Sequence, residues 1–191
     1  MPSIPGPVIT PGAMRAQPQP TLRTEHLVLR PWRRDDAPAV LRAYADPDVR
    51  HWHCRSMDDL DESRAWITGQ IEAWPTEAGA SWAVTDPDDV LLGRVSLRTV
   101  DLAEGHAEVG YWVLPEARGR GAAVESTVEI TRWSFDELGL HRLWLRHSTR
   151  NIASCRVAEK VGYVAEGTSV SAGPHADGWH DMHNHGIVSV H

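Results

Sequence analysis

The stretch AEVGYWVLPEARGRGAA, residues 107–123, joins a strand-like run to the start of a long amphipathic helix. Glycines at a helix N-terminus leave backbone N–H groups exposed and directed towards one place. The helix dipole adds positive potential there, and Arg118 and Arg120 add full charges. A strand, a proline, a short Arg/Gly segment and a helix, in this order, predict a binding site for a phosphate or pyrophosphate group.

Length and charge limit the classes of protein to which the chain can belong. It has 191 residues, enough for one domain with a substantial core, and its formal net charge of −7 argues against nonspecific nucleic-acid binding. No run of about 18 apolar residues predicts a membrane span. The two cysteines, Cys54 and Cys155, form neither a disulfide framework nor a metal motif. We expect a cytoplasmic protein without nucleic-acid or membrane partners.

Residues 1–20 are rich in proline and contain two glycines. Such a segment cannot bury a continuous apolar face, so the sequence predicts a disordered tail over 1–20 and a single domain over 21–191. The segment lacks the apolar stretch of a signal peptide, and Met14 within it is an alternative start.

Hydrophobic periodicity predicts the secondary structure of the rest of the chain. We expect strands at 22–32, 81–86, 91–99, 107–114, 141–147, 163–170 and 179–190. We expect helices at 35–46, 57–74, 121–138 and 151–162. The order β-α-α-β-β-β-α-β-α-β-β indicates a single mixed α/β domain.

Five segments in this order resemble the Gcn5-related N-acetyltransferase (GNAT) superfamily, and within it the RimJ/RimL-like ribosomal-protein N-terminal acetyltransferases. They are LRTEHLVLRPW at 22–32, AEVGYWVLPEARGRGAAVEST at 107–127, LGLHRLWLR at 138–146, NIASCRVAEKVGYVAEG at 151–167 and DGWHDM at 177–182. The resemblance implies a GNAT fold, a central twisted mixed sheet flanked by helices and splayed between strands 107–114 and 141–147.

The resemblance also implies that acetyl-CoA is the co-substrate and lies between the two splayed strands. Strands that part leave backbone donors and acceptors unpaired, and the pantetheine amides can pair with them. The residues implied for pantetheine and the thioester carbonyl are Trp112, Val113 and Leu114, through their N–H groups. Those implied for the pyrophosphate are Arg118, Gly119, Arg120, Gly121, Ala122 and Ala123, with small residues at 121 and 123. Asn151 is either a helix N-cap or an amide ligand for pantetheine.

The implied activity is transfer of an acetyl group to a primary amine, either a protein N-terminal α-amine or a small-molecule amine. An α-amine has a pKa of roughly 7.7–8.0 and lysine of about 10.4, so an α-amine demands less of a base. The acidic balance of the chain slightly favours a cationic acceptor. The alternatives are a non-catalytic acyl-CoA-binding module and an enzyme that uses another acyl-CoA. Relatives are commonly homodimers.

Two residues match catalytic positions of the family. Glu108 is the candidate general base, acting through a water, or else a strand carboxylate paired with an arginine. Ser154 is the candidate that contacts the thioester sulfur, or else a partner in a capping box. The tyrosine that usually serves as general acid is replaced by Ala158.

Histidines cluster near the C-terminus, at positions 175, 180, 183, 185 and 191. In a strand, Asp181, His183 and His185 would share one face, which is a ligand-like arrangement. Histidines on the surface or in the acceptor pocket are the favoured interpretation, so no metal is expected; His183 or His185 is then a candidate proton carrier. Most of the nine tryptophans are expected in the core.

Overall fold

The computed structural model describes residues 6–190, which form one eight-stranded sheet. The strands are β1 Leu22–Arg23, β2 Val28–Pro31, β3 Ala80–Thr85, β4 Leu91–Asp101, β5 His106–Val113, β6 Arg142–Ser148, β7 Val164–His175 and β8 Gly178–Val188. Their order across the sheet is β1-β2-β3-β4-β5-β6-β8-β7. Within this described sheet β5 and β6 pair in parallel, and every other neighbouring pair is antiparallel.

Five helices cover the two faces of the sheet: α1 Ala37–Ala45, α2 Pro47–His53, α3 Leu60–Ala73, α4 Ala122–Asp136 and α5 Ile152–Val161. Helices α1–α3 pack on one face around an aromatic cluster of Trp32, Trp66 and Trp112. Helices α4 and α5 pack on the other face, where Ile130 and Ala158 are fully buried. The mixed α/β architecture predicted from the sequence is confirmed.

The sheet opens between β5 and β6. The two strands pair from His106 opposite Arg142 to Val109 opposite Leu145 and then part. Beyond that point β6 remains paired with β8 as far as Ser148, and β5 remains paired with β4 as far as Val113. From Gly110 to Val113, the edge of β5 that faces β6 therefore has no strand partner within the described sheet, which confirms the predicted splay.

One predicted element was wrong in detail, and one helix was missed. The first strand, predicted as 22–32, is a hairpin of the short strands β1 and β2. Helix α2 was not predicted, because Asp46-Pro47 was interpreted as the end of a helix. In the structure Asp46 caps α2, accepting a hydrogen bond from the Val49 N–H at 3.0 Å, and Pro47 occupies the first helical position.

The disordered tail predicted for 1–20 is wrong for residues 6–20, and residues 1–5 lie outside the described part. Met14 is 1 % exposed and packs in the core beside α4. Glu77 accepts hydrogen bonds from the N–H groups of Gly12 (2.7 Å) and Met14 (2.8 Å). The indole N–H groups of Trp74 and Trp82 donate to the carbonyls of Gln17 and Pro20 respectively, both at 2.8 Å. Side chains of the domain thus form hydrogen bonds with backbone groups of this segment, which its prolines prevent from joining a helix or a strand.

The tryptophans belong mainly to the core, as expected. Trp74, Trp82 and Trp133 form a second aromatic cluster on the α4 face, with ring centroids 5.4–6.3 Å apart. Trp52 lines a cleft described below, and Trp179 is 64 % exposed. Among residues 6–190 no helix is long and apolar enough to span a membrane.

Candidate active site

A cleft of about 500 Å³ lies where β5 and β6 part. It extends from the N-terminus of α4 along one side of α5 as far as Lys160, and α2 forms its third wall. Its lining includes nine of the predicted residues: Trp112, Val113, Arg118, Gly119, Gly121, Ala122, Ala123, Asn151 and Ser154. Glu108, Leu114 and Arg120 are not part of this lining.

The α4 end of the cleft has the geometry of an anion site. Gly119 and Gly121 have φ values of +75° and +85°, a left-handed conformation that glycine adopts without strain. Gly121 is the N-cap of α4, so the N–H groups of Ala122 and Ala123 lie in the first turn and have no intrahelical acceptor. Open space surrounds the Cβ position of both glycines. The glycines are therefore needed for their backbone conformation rather than for close packing within the protein.

Arg118 does not extend freely towards this end. Its guanidinium donates to the carboxylates of Asp46 and Asp48, the latter at 2.9 Å. Burial tends to raise the pKa of Asp46, but the Val49 N–H and Arg118 more than offset this and lower it. Arg118 therefore ties α2 to the Arg/Gly segment while still lining the cleft, and only part of its charge is available to a phosphate.

The backbone of β5 decides which amides can hold a ligand. The Leu114 N–H donates to the Leu92 carbonyl at 2.8 Å, so it faces β4 and not the gap. Backbone groups alternate between the two edges of a strand, so those of Trp112 also face β4. The predicted donors at Leu114 and Trp112 are therefore wrong. Of the three predicted N–H groups, that of Val113 faces the gap, together with the unpredicted Tyr111 N–H.

Helix α5 lines the cleft opposite β5. Asn151 is its N-cap and accepts a hydrogen bond from the Ser154 N–H at 3.0 Å, so its side-chain oxygen serves the helix. The Ser154 side chain lines the cleft and makes no hydrogen bond with a described residue. The hydroxyl of Tyr111 donates to the Ser154 carbonyl at 3.5 Å. Burial raises the pKa of Tyr111 to about 12, so the hydroxyl stays protonated.

Glu108 is engaged by an arginine. Its Oε1 accepts a hydrogen bond from Arg98 at 2.8 Å, and its side chain is 13 % exposed. It lies on the paired part of β5, opposite Trp144, one residue before the last paired position at Val109. The sequence left open a base or an ion-pair partner, and the ion pair is present.

Helix α2, missed from the sequence, supplies Trp52 and His53 to the cleft. Burial, with the positive charges of Arg94 and Arg98, lowers the pKa of His53 to about 3. The ring is therefore neutral near pH 7. The signal for α2 was present in the sequence as an Asp-Pro pair at a helix start, but that pair is also common after a helix end.

The sheet face under α1–α3 carries a buried arginine beside this wall. Arg94 donates to Ser81 Oγ (2.8 Å) and Gln70 Oε1 (2.9 Å), and it stacks over Trp66 at 5.3 Å from the ring centroid. Burial lowers the pKa of Arg94 to about 10, so the group remains charged near pH 7. No carboxylate within residues 6–190 forms an ion pair with it.

The C-terminal histidines fall into two groups on opposite faces, and His191 lies outside the described residues. His175 and His180 stack at 4.1 Å on the α2 side. There Ser148 Oγ, His180 and Asp177 form a hydrogen-bonded chain with both contacts at 2.8 Å.

His183 and His185 lie on the α5 side with His147, and none of the three lines the cleft. Burial lowers the pKa of His147 and of His185. Asp181, expected on their face, instead accepts a hydrogen bond from the Ser171 N–H at 2.8 Å.

Comparison of the chain with known proteins shows which family has a domain of similar sequence. The family model described as the acetyltransferase (GNAT) domain matches residues 26–164. The uncharacterised N-acetyltransferase YoaA of Bacillus subtilis is 27 % identical over 78 % of this chain and 85 % of its own length. The spermidine N(1)-acetyltransferase of Vibrio cholerae is 29 % identical over 62 % of this chain and 67 % of its own length.

Solved structures share the fold at lower identity. A GNAT-family acetyltransferase from Bacillus anthracis superposes with a TM-score of 0.79 at 23 % identity, over 88 % of this chain and 98 % of that chain. RimL, a ribosomal L7/L12 α-N-protein acetyltransferase solved with coenzyme A, gives 0.78 at 19 % identity over 88 % and 98 %. These likenesses establish the fold.

Proposed function

This chain belongs to the GNAT acetyltransferase family and is an acyl-CoA-dependent acyltransferase, and from that premise we propose that it acetylates a primary amine with acetyl-CoA. The observation that carries the proposal is the cleft at the β5–β6 splay. It joins the N-terminus of α4, the unpaired edge of β5 and the first turn of α5 in one continuous space.

The residues present fit acetyl-CoA. The N–H groups of Ala122 and Ala123, beside left-handed Gly121, suit the pyrophosphate. The N–H groups of Tyr111 and Val113 suit the pantetheine amides, because that edge of β5 has no strand partner. When bound there, the thioester supplies an activated acetyl group, and the protein orients it.

Tyr111 is proposed to assist departure of the sulfur in place of the family tyrosine that Ala158 replaces. Its hydroxyl lies beside the first turn of α5, next to Ser154. With a pKa of about 12 it will not transfer its proton fully to a thiolate, whose pKa is about 8.5 for cysteine. Its role is to turn its single O–H away from the Ser154 carbonyl, a long contact of 3.5 Å, and donate it to the developing charge, a role it shares with the Ser154 hydroxyl.

Glu108 is proposed as a base only for acceptors that arrive protonated. The Glu108 side chain does not line the cleft. To accept a proton from the amine, Glu108 must either break its ion pair with Arg98 or act through a bridging water. An α-amine near its pKa is partly neutral already. Glu108→Gln is therefore expected to slow acetylation of a lysine-like amine more than that of an α-amine.

Positive charge close to His53, in the α2 wall of the cleft, favours an acceptor amine that also carries an anionic group. Arg94 is buried without a carboxylate partner among residues 6–190, and Arg55 lines an adjoining pocket next to Trp66. Glu62 in that pocket and Glu108 offset only part of this charge. This positive charge opposes the cationic acceptor favoured by the overall composition, since Asp48 in the cleft lining is already paired with Arg118.

The test is thiol release from acetyl-CoA with a matched panel of acceptors. We would compare a peptide with a free N-terminus and an acidic second residue, the same peptide with lysine there, and spermidine. The acidic peptide is expected to be acetylated fastest, and Arg94→Gln is expected to remove its advantage. Faster acetylation of spermidine would contradict the proposed acceptor class.

The catalytic assignment is tested with Tyr111→Phe, Ser154→Ala and a matched control, Tyr163→Phe. Tyr163 is also buried, and its hydroxyl contacts Thr131 at 2.9 Å, outside the cleft lining. We expect kcat to fall about 100-fold in Tyr111→Phe, the usual loss for one preorganised donor, and to be unchanged in the control. Equal kcat values for the two tyrosine variants would remove Tyr111 from the mechanism.

The sequence also left open a non-catalytic acyl-CoA-binding protein, which Ala158 at the general-acid position and the engaged Glu108 would suit, whereas the N-acetyltransferase relatives favour the enzyme. The non-catalytic alternative predicts tight coenzyme A binding without thiol release for any amine. The acceptor panel distinguishes the two functions, provided that coenzyme A binding is measured on the same preparation.

A further inference from the structure

Three histidines and a cysteine converge on the face of the sheet where α5 packs. His147 of β6 lies opposite His183 of β8, and His185 follows on the same face of β8. Cys155 reaches them from the first turns of α5. One ligand atom of each of the four side chains lies within 4.8 Å of the others. We propose that these residues form a zinc site that fastens α5 to β6 and β8.

The distance between the two buried histidine nitrogens suits a tetrahedral ion. The Nε2 atoms of His147 and His185 lie 3.2 Å apart. Zinc–nitrogen bonds of about 2.0–2.1 Å at tetrahedral angles place two ligand nitrogens roughly 3.3–3.4 Å apart. The two buried histidines thus already have the spacing of one edge of the tetrahedron. The ligand atoms of Cys155 and His183 lie within 4.8 Å of these nitrogens, and both side chains are only half-buried, so rotation about their side-chain bonds can bring them to the ion.

The hydrogen bonds fix the tautomer of His147 and direct its free lone pair at His185. His147 Nδ1 contacts the Ser148 carbonyl at 2.8 Å, and since a carbonyl only accepts, Nδ1 carries the hydrogen. Its Nε2 therefore presents a lone pair, with the backbone contact fixing the ring as ligand histidines require. His185 Nε2 faces this lone pair at 3.2 Å, so without an ion it carries the hydrogen of the contact. Zinc at Nε2 requires that hydrogen on Nδ1 instead, where the backbone of Tyr163 is close enough to interact with the ring.

The donor set favours zinc over harder cations. Three imidazoles and a thiolate are the nitrogen and sulfur ligands of structural zinc sites, whereas calcium and magnesium require oxygen. A second group, Asp101, Glu104 and His106, offers mainly carboxylates, and Glu104 Oε2 already contacts His106 at 2.9 Å. That group serves below as a control and not as a second site.

The site adjoins the cleft without being part of it. None of the four residues lines the cleft, but Cys155 follows Ser154, which does. A bound ion would fix the first turn of α5 against the sheet and so hold Ser154 in place. The expected role is structural, with all four positions of the ion taken by the protein.

The test is metal titration of the full chain after treatment with a chelator, using Co²⁺ as a spectroscopic probe and Zn²⁺ as competitor. We expect one equivalent of Co²⁺ to bind, with the visible absorption of a tetrahedral ion and a thiolate charge-transfer band. Zn²⁺ should displace it and raise the Tm. A Co²⁺ spectrum without the thiolate band, or a Tm unchanged by Zn²⁺, would overturn the proposal.

The variants locate the ion. Cys155→Ser is expected to abolish the thiolate band and weaken Zn²⁺ binding by at least about 100-fold, and His183→Gln to weaken it similarly. Cys54→Ser controls for the other cysteine, which contacts His175 Nδ1 at 3.4 Å. His106→Gln controls for the carboxylate group. Loss of the band in Cys54→Ser, or undiminished binding in Cys155→Ser, would place the metal elsewhere and refute this site.

Discussion

The residue that controls the donor end of the cleft is Gly121. Its φ of +85° is costly for any residue with a Cβ, by about 1–2 kcal/mol, and it positions the first N–H groups of α4. The open space at its Cβ position means that substitution acts through the backbone. The anion site predicted from the Arg/Gly segment thus depends on a conformation and not only on charge.

Replacement of Gly121 by alanine is therefore expected to weaken coenzyme A binding about tenfold, because relief of the strain turns the α4 amides away from the pyrophosphate. Titration calorimetry measures the change. Gly178→Ala is the matched control, since Gly178 has φ of +117° and does not line the cleft. Equal losses of affinity in both variants would mean that general strain, and not the amides of α4, causes the effect.

At the scale of elements, the N-terminal segment is the feature that sequence patterns misjudged. Six prolines among the first 20 residues suggested disorder, yet residues 8 and 9 hydrogen-bond to the β4–β5 connection at 2.9 Å. Ile9 and Met14 add apolar contacts to the α4 face. A segment without a regular periodicity can still be ordered when the surface beneath it offers donors and acceptors at the right places.

The attachment of this segment is expected to depend on pH through Glu77. Partial burial acts to raise the pKa of Glu77, but the N–H groups of Gly12, Met14 and Arg15 more than offset this and lower it. A lowered folded pKa means that the carboxylate stabilises the fold above its unfolded pKa of about 4.3 and that this is lost as pH falls through the folded value.

Hydrogen exchange of residues 8–15 should therefore accelerate below about pH 4, after correction for the intrinsic pH dependence of exchange. Glu77→Gln should release the segment partly at pH 7 and abolish this pH dependence. Glu72→Gln, a change of an exposed carboxylate in α3, is the control and should leave protection intact. A pH response that persists in Glu77→Gln would assign the attachment to another group.

At the scale of the whole molecule, the splayed sheet brings together groups distant in sequence. The cleft has walls from α2, β5, α4 and α5, so a ligand that binds there connects both faces of the sheet. Ligand binding to the folded state alone stabilises it by about 2.7 kcal/mol at 100 times the Kd.

Coenzyme A at that concentration is thus expected to raise the Tm by roughly 5–11 °C, since a chain of this size gains about 2–4 °C per kcal/mol. Differential scanning calorimetry measures the shift. Pantetheine, which lacks the phosphates, should produce a smaller shift at equal concentration. A shift of the same size with pantetheine would show that the α4 amides contribute nothing to binding.

Local signals accounted for the parts of the fold and site that the sequence determined by itself. The strand, Arg/Gly segment and helix of residues 107–123, and the Asn151 cap three residues before Ser154, each depend on neighbours within a few positions. Nine of the twelve predicted site residues come from these two stretches and line the cleft.

The tertiary structure alone decided what depends on register and on distant partners. The hydrogen bond from the Leu114 N–H to the Leu92 carbonyl determines which β5 amides face the gap. Arg98, on the neighbouring strand β4, determines that Glu108 is engaged in an ion pair. His147 and His185 are 38 residues apart and meet because β6 and β8 pair in one register. A shift of that register by one residue would send His185 to the other face of the sheet, and the periodicity of a single strand does not specify its partner.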